Sequence, residues 1–360
     1  KMIVVDPARN PLPYYQFAEE NNAELVGVFE THPHADFVSG HLQIHQETGA
    51  TIYVSKMVGA EYSHQTFDDG DEFEFGNAKV KAIHTPGHSP DGISFYVTNT
   101  DDDTKALFTG DTLFIGDVGR PDLREKAGNM KAKRKELAEA MYQTIQNKFT
   151  DLSDDVLIYP AHGAGSLCGK NMSDAASSTL GNERTGNWAF KQQSQDEFVA
   201  EILKDQPFIP SYFGFNVDVN KKGADTFNKS IHSIALQVNA KSVKSDATII
   251  DVRDEEKFKK GHFKGSLNIM ARTEKDKVET WLGAIIEPNE EFYLVVDTVS
   301  DVNRIVSRIA KIGYEKQIKA VLTIAKDAEL ESTQILDLNH FKSNKSDYHI
   351  VDIRSESEHK

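Results

Sequence analysis

Four short apolar runs in the amino-terminal half of the chain each lead into a turn bearing histidine or aspartate. Leu25-Val26-Gly27-Val28-Phe29 leads to Thr31-His32-Pro33-His34-Ala35-Asp36, and Lys79-Val80-Lys81-Ala82-Ile83 to His84-Thr85-Pro86-Gly87-His88. Ala106-Leu107-Phe108-Thr109 leads to Gly110-Asp111, and Val156-Leu157-Ile158-Tyr159 to Pro160-Ala161-His162-Gly163. Short β-branched and aromatic runs bounded by Gly and Pro read as strands. In open α/β sheets, ligands collect in the crevice beyond the strand carboxyl ends. His32, His34 and Asp36 alternate, so in an extended turn all three can face one side and share one metal. The pattern predicts a metal site built at strand exits.

The rest of the chain supplies the layers such a site needs. Helices are expected at 11–22, with proline in the first turn, and from Ser39 as N-cap to Gly49. Strands are expected at 51–54, 79–83, 93–97, 106–109 and 156–159, giving alternating α/β architecture. Between 187 and 224 the pattern loosens around a helix at 192–204 and a break at Gln206-Pro207-Phe208-Ile209-Pro210, which marks a connector. A second α/β unit follows, with the strand Ala247-Thr248-Ile249-Ile250-Asp251, a buried-type strand at 292–296 and a helix at 301–312. From Thr333 the chain starts over: Tyr348-His349-Ile350-Val351-Asp352-Ile353-Arg354 repeats Thr248-Ile249-Ile250-Asp251-Val252-Arg253. The expected division is 1–212, a linker at 213–225, 226–328, and the start of a repeated unit at 333–360. Lys1 in place of an initiator methionine, a first strand expected to be missing, and the abrupt end suggest a piece of a longer protein.

Composition narrows the chemistry. A net charge of −15 argues against a phosphate-backbone partner, because nucleic-acid binders carry a clustered basic face. The basic stretch 126–135 reads as solvated helix surface. A single cysteine, Cys168, excludes an intrachain disulfide and fits a reducing, cytoplasmic setting. No run of about 18 apolar residues is present to cross a membrane.

Taken in order, the four motifs resemble those of the metallo-β-lactamase fold, in the branch holding glyoxalase II and the persulfide dioxygenases, over residues 1–212. The resemblance implies an αββα sandwich. Dinuclear members read His-x-His-x-Asp-His, whereas Phe37 stands at the last position here and cannot ligate. That departure argues against a dinuclear zinc hydrolase. What remains can place two histidines and one carboxylate around one metal with open positions, as in non-haem Fe(II) oxygenases. The resemblance implies His32, His88 and Asp111 as ligands of one Fe(II) per chain, with His34, Asp36 and His162 behind them.

Three further residues carry two readings each. Gly116-Asp117-Val118-Gly119-Arg120-Pro121-Asp122 resembles a Gly-Arg-x-Asp segment whose arginine lies by the thiol cosubstrate. Arg120 therefore either holds a substrate carboxylate or pairs internally with Asp117 or Asp122. Cys168 either accepts or relays sulfur near the iron or is an inert buried thiol. Lys170 either raises the local positive potential for substrate or is an exposed lysine. His41 and His45 read as surface helix positions, and His84 as a packed strand-end residue.

Ile250-Asp251-Val252-Arg253-Asp254-Glu255-Glu256-Lys257-Phe258, followed by Gly261-His262-Phe263-Lys264-Gly265-Ser266-Leu267-Asn268-Ile269, resembles a rhodanese domain over about 226–328. In active rhodaneses the next strand leads to a cysteine that carries the persulfide. Here that place is Asp297, so this copy reads as a degenerate rhodanese that packs or docks. The whole order resembles the bacterial persulfide dioxygenase–rhodanese fusions of sulfide detoxification. It implies oxidation of a low-molecular-weight thiol persulfide by O2 to sulfite and thiol, in a homo-oligomer that uses neither nucleic acid nor membrane. A mononuclear zinc thioester hydrolase and a non-catalytic persulfide-binding scaffold are the alternatives.

Overall fold

A computed structural model describes residues 1–125, 133–191, 193–243, 246–333 and 335–352. Phe29 shows what holds the first unit together. Its ring stacks on Tyr53 at 4.5 Å and meets Phe67 and Phe95 edge-on. Tyr53 belongs to the same sheet as Phe29 and Phe95 to the opposing one, so this aromatic cluster, with Val80, Ala82 and Ile93, is the filling between two sheets. A fully buried Phe of this kind stabilises by about 1.5–3 kcal/mol.

The first sheet is parallel, in the order β1 (Met2–Val5), β2 (Leu25–Phe29), β3 (Thr51–Val54), β4 (Gln65–Thr66), linked by α1 (Leu12–Glu20) and α2 (His41–Thr48). The second runs β5 (Glu72–Phe75), β6 (Ala78–His84), β7 (Ile93–Asn99), β8 (Lys105–Gly110), β9 (Leu157–Pro160), β10 (Ser178–Thr179). Its strands are antiparallel except β8 and β9, which run parallel because α3 (Arg134–Asn147) lies between them in the chain. α3, α4 (Leu180–Gly186) and α5 (Gln195–Leu203) cover the outer face of this sheet through Met141, Ile145, Leu180 and Phe198, and α2 covers the other sheet through Ile44. The result is the expected αββα sandwich.

The stretch expected as a linker, 213–225, is instead largely the helix α6 (Tyr212–Lys222). Its buried positions, Tyr212, Phe213, Asn216, Val217, Asn220 and Lys221, follow helical spacing. α7 (Phe227–His232) follows, and then a five-stranded parallel sheet ordered β11 (Leu236–Ala240), β15 (Ile318–Ile324), β14 (Phe292–Val295), β12 (Thr248–Asp251), β13 (Leu267–Asn268). α8 (Glu255–Lys260), α9 (Val278–Ile285) and α10 (Val302–Ala310) connect its strands. Phe292, Leu294 and Val295 are fully buried, as a parallel sheet covered on both faces requires.

One apolar cluster crosses the junction: Ala35, Phe114 and Cys168 of the first unit, Tyr212, Phe213 and Val217 of α6, and Leu282, Val306 and Ile309 of the second. Gly283 makes room for it. A Cβ there would stand 2.0 Å from the Tyr212 ring, so only a glycine lets α9 approach α6 this closely.

Two expectations at the margins change. The repeated strand at 348–352 does not form: Ile350 and Val351 are exposed with no sheet neighbour, and Ile353 and Arg354 lie outside the described residues. Of the basic stretch 126–135, residues 126–132 also lie outside them, and the helix there begins at Arg134.

Candidate metal centre

Asp6, at the exit of β1, sets the geometry of the turn after β2. Its φ of 47° is one that aspartate tolerates better than most residues. Its carboxylate accepts from the Thr31 N–H and hydroxyl at 2.7 and 2.8 Å. Because the Thr31 hydroxyl gives its proton to Asp6, its oxygen accepts from Nδ1 of His32 at 2.9 Å. That arrangement fixes the tautomer and leaves the His32 Nε2 lone pair available. Gly110, with φ +51°, brings β8 against this turn; a Cβ there would lie 2.5 Å from Thr31 Oγ1.

His32, His88 and Asp111 converge. Asp111 Oδ2 lies 3.9 Å from His32 Nε2 and 3.5 Å from His88 Nε2, and one donor atom from each residue lies within 4.8 Å of the others. The two imidazoles stand nearly perpendicular, with centroids 5.0 Å apart. All three side chains are at most 5% exposed. His32 Nε2 and both Asp111 oxygens have no hydrogen-bond partner. Buried polar atoms left so are costly, and a cation held among them would satisfy all three. Burial pushes His32 well below its ordinary pKa, with His34 and His88 adding to the effect. Burial also lowers His88, against the pull of Asp111. Both are therefore neutral, the form that ligates. Two imidazoles and one carboxylate gathered on one side suit a single metal with open positions.

Around this trio the other expected residues take distinct places. Asp111 Oδ1 faces His162 Nε2 at 3.4 Å, and Asp36 Oδ2 faces the same nitrogen at 3.2 Å. Burial works against the charge on His162, but Asp111 and Asp36 outweigh it and raise its pKa well above the ordinary value. Asp36 is held at about 2, where His162 outweighs burial. His34 turns toward Asp6, its Nε2 3.1 Å from Oδ1, and is raised to about 9 by Asp6 despite burial. The Phe37 ring packs 4.3 Å from the His34 ring and 6.5 Å from that of His162. Cys168 is buried beside His162 and Asp111, and burial keeps its thiol protonated.

Other expectations are corrected. Arg120 is buried and grips Asp122 through two bonds of 2.7 and 2.8 Å, while also donating to the Leu167 and Pro207 carbonyls. Its internal pairing leaves it no face for substrate. Lys170 donates to the carbonyls of Glu201 and Lys204 at the end of α5, away from the metal trio. His41 is not on the surface: it is fully buried against Tyr62 and 3.6 Å from Glu30, and burial lowers it to about 3. Gly40, not Ser39, precedes α2; the Ser39 hydroxyl is given to Glu30 and Pro7.

Sequence reading passed over three supports. Asp6 was legible, since it follows the strand at 2–5 as the other site residues follow theirs. Asn220 was not. From α6 it donates to the carbonyls of His34 and Phe37 and accepts from Ser39 N–H, so the whole metal-bearing turn hangs on it. Arg124, bonded to Asp91 at 2.8 and 3.0 Å, is a buried cation near His32 and His88.

A cavity of about 480 Å³ lies on the His162 side of the trio; none of His32, His88 and Asp111 lines it, and His162, 3.4 Å from Asp111, is the link between the two. It is lined by Asp36, Phe37, His162 and the 163–167 loop of the first unit, by Tyr212 of α6, and by residues in and beside α9 and α10.

Both halves of the chain match known domain families. Residues 1–162 match the metallo-beta-lactamase superfamily and residues 235–322 the rhodanese-like domain. The mitochondrial persulfide dioxygenase ETHE1 of Bos taurus is 29% identical over 208 residues, 58% of this chain and 72% of that protein. A hydroxyacylglutathione hydrolase of Prochlorococcus marinus is 31% identical over 163 residues, 44% of this chain, which spans 59% of that relative. Among solved structures, a metallo-beta-lactamase from Staphylococcus aureus superposes with a TM-score of 0.76 at 29% identity, over 89% of this chain and 91% of that one. An ETHE1 from Myxococcus xanthus gives 0.50 at 25% identity, over 61% and 87%.

Proposed function

For a chain that carries a metallo-β-lactamase domain followed by a rhodanese-like domain, we propose the activity of a mononuclear non-haem iron(II) dioxygenase acting on a low-molecular-weight thiol persulfide. The observation that carries this reading is the buried trio His32, His88 and Asp111, with His32 Nε2 and both Asp111 oxygens unpartnered, beside a ring at Phe37 where a further donor would be needed for a second metal. The reaction balances as RSSH + O2 + H2O → RSH + H2SO3, the terminal sulfur giving four electrons to dioxygen.

His32, His88 and Asp111 would hold the iron, which when bound supplies open positions for sulfur and dioxygen and electrons that zinc cannot provide. The chain's own residues do the rest. Asp6 and Thr31 hold the His32 tautomer. Asp36 and His162 place an ion pair on the cavity side of Asp111. Phe37 and Tyr212 add apolar surface to a cavity otherwise lined largely by charged and polar side chains. Cys168 stands beside His162 as a buried, protonated thiol, a poor nucleophile toward sulfur that also holds its proton tightly.

The proposed partners are the persulfide and dioxygen, with assembly into a homo-oligomer. No helix among the described residues is long and apolar enough to cross a membrane, and the one free cysteine fits the cytoplasmic setting proposed for such chemistry.

A zinc thioester hydrolase is the second reading, favoured by the retention of Asp36 and His162 beside Asp111. Anaerobic reconstitution with Fe(II), followed by oxygen uptake and sulfite detection with glutathione or coenzyme A persulfide, separates the two. Iron-loaded protein that consumes no oxygen overturns the dioxygenase reading.

A further inference from the structure

The rhodanese-like half has lost the group its own site would need. Asp297, at the end of β14, is tied to Lys257 at 2.5 Å. The arginines around that depression are also engaged, Arg253 with Asp251, Arg272 with Asp254 and Asp276, and Arg304 with Asp301. The contribution of this half lies on another face, the one that lines the 480 Å³ cavity next to His162, whose Nε2 is 3.4 Å from Asp111.

The cations on that wall are not equivalent. Arg308 is buried and bonded to both oxygens of Glu279 and to two carbonyls. Lys311 sits 3.5 Å from Glu274 and 3.7 Å from Glu279. Lys277, which precedes α9, has no carboxylate within ion-pair distance among the described residues. Its ammonium reaches across the junction to within 3.5 Å of the Gly165 carbonyl, in the loop that follows His162. Gly165, at φ +90°, leaves space beneath it: a Cβ there would come within 3.1 Å of the ammonium. An unpaired ammonium thus overhangs the mouth of the cavity, on the wall facing Asp36 and His162.

With its sulfur directed past His162 toward the metal, a persulfide would lay the rest of its carrier along this cavity. Small thiol carriers bear carboxylates or phosphates there. We infer that Lys277 of the rhodanese-like half is the anion-binding residue that holds the carboxylate or phosphate of the thiol carrier at the entrance to the metal site. The inference rests on the persulfide reading above for its substrate. The degenerate half then acts in recognition, as one wall of its neighbour's site. An exposed ammonium of this kind is a point charge, so its hold weakens as salt rises.

The test uses the whole chain and the unreactive thiols, so that binding is read without turnover. Calorimetric titration with reduced glutathione probes the carboxylate source and with coenzyme A the phosphate source. Lys277→Ala is expected to weaken the preferred thiol about fivefold or more, Lys277→Glu further, and Lys277→Arg to restore most of it. Lys264→Ala, on an exposed lysine outside the cavity, leaves affinity unchanged. With the matching persulfide, KM rises for Lys277→Ala while kcat stays level. Wild-type affinity for both thiols in Lys277→Ala and Lys277→Glu overturns the inference, as does a wild-type protein that binds neither. Absence of oxygen uptake by iron-loaded wild type that still binds a thiol through Lys277 overturns the dioxygenase reading alone.

Discussion

The side-chain amide of Asn220 donates to the backbone carbonyl of Phe37 at 2.8 Å. The same amide reaches the His34 carbonyl at 2.9 Å and accepts from Ser39 N–H at 2.8 Å. A helix outside the sandwich therefore holds the turn that presents His32. Replacing Asn220 by Ala leaves three backbone groups of that turn unsatisfied, and buried groups so abandoned cost about 1–3 kcal/mol each, offset in part by water. Asn220→Ala is expected to lose about 2–4 kcal/mol in urea unfolding and to bind metal roughly 10–100-fold more weakly. Unchanged metal affinity would show that the turn keeps its shape unaided.

His88→Ala removes one imidazole of the trio and should leave purified protein with little iron, while His34→Gln, whose residue faces Asp6, should keep close to one ion per chain. Metal content after anaerobic loading decides. Full occupancy in His88→Ala would refute the ligand assignment.

Phe37→His restores a donor beside Asp36, His162 and Asp111. Loaded with zinc, this variant is expected to hold two ions per chain against one in the wild type, measured by elemental analysis after dialysis. A stoichiometry that stays at one would mean that something other than Phe37 excludes the second metal.

Arg120→Ala strands Asp122 as an uncompensated buried carboxylate, and should destabilise the fold by about 3–5 kcal/mol in urea unfolding. Removing both charges together, as Arg120→Met with Asp122→Leu, should recover much of that loss. The folded fraction of either variant keeps the wild-type KM for persulfide, because Arg120 faces no cavity-bound group. A selective rise in KM without loss of stability would return Arg120 to a substrate role.

The places of the trio were legible from sequence because each member lies within four residues of a strand end, while the choice of these three as ligands came from the family resemblance. His162 was legible for the same reason, and Asp36 through its alternation with His32 and His34. Asn220 was not, because α6 turns a polar stripe inward: Asn216 and Asn220 share its buried face with Phe213 and Val217, so the helical period never shows as apolar spacing. Arg120 could not be decided from its neighbours, since a guanidinium two residues from an aspartate suits a buried pair and a substrate clamp equally. His41 misled for the opposite reason. A polar residue on a helix with low apolar content looks solvent-facing, and only the packing of Tyr62 and Glu30 around it reveals otherwise. The expected strand at 348–352 failed for want of a neighbour, since sequence specifies what can pair and a sheet requires something to pair with.

The Val38 N–H bonds to the Lys311 carbonyl at 2.7 Å, and Arg9 meets Glu315 across the same junction. The turn that carries the metal residues thus ends on the last helix of the other half. A change that merely shifts α10 to suit its own sheet displaces the anchor of the turn bonded to its end. The two halves cannot drift apart in sequence as independent modules do. A half with no cysteine of its own serves here as the buttress of its neighbour, and cutting it away would strip the partners on which Val38 and Arg9 rest.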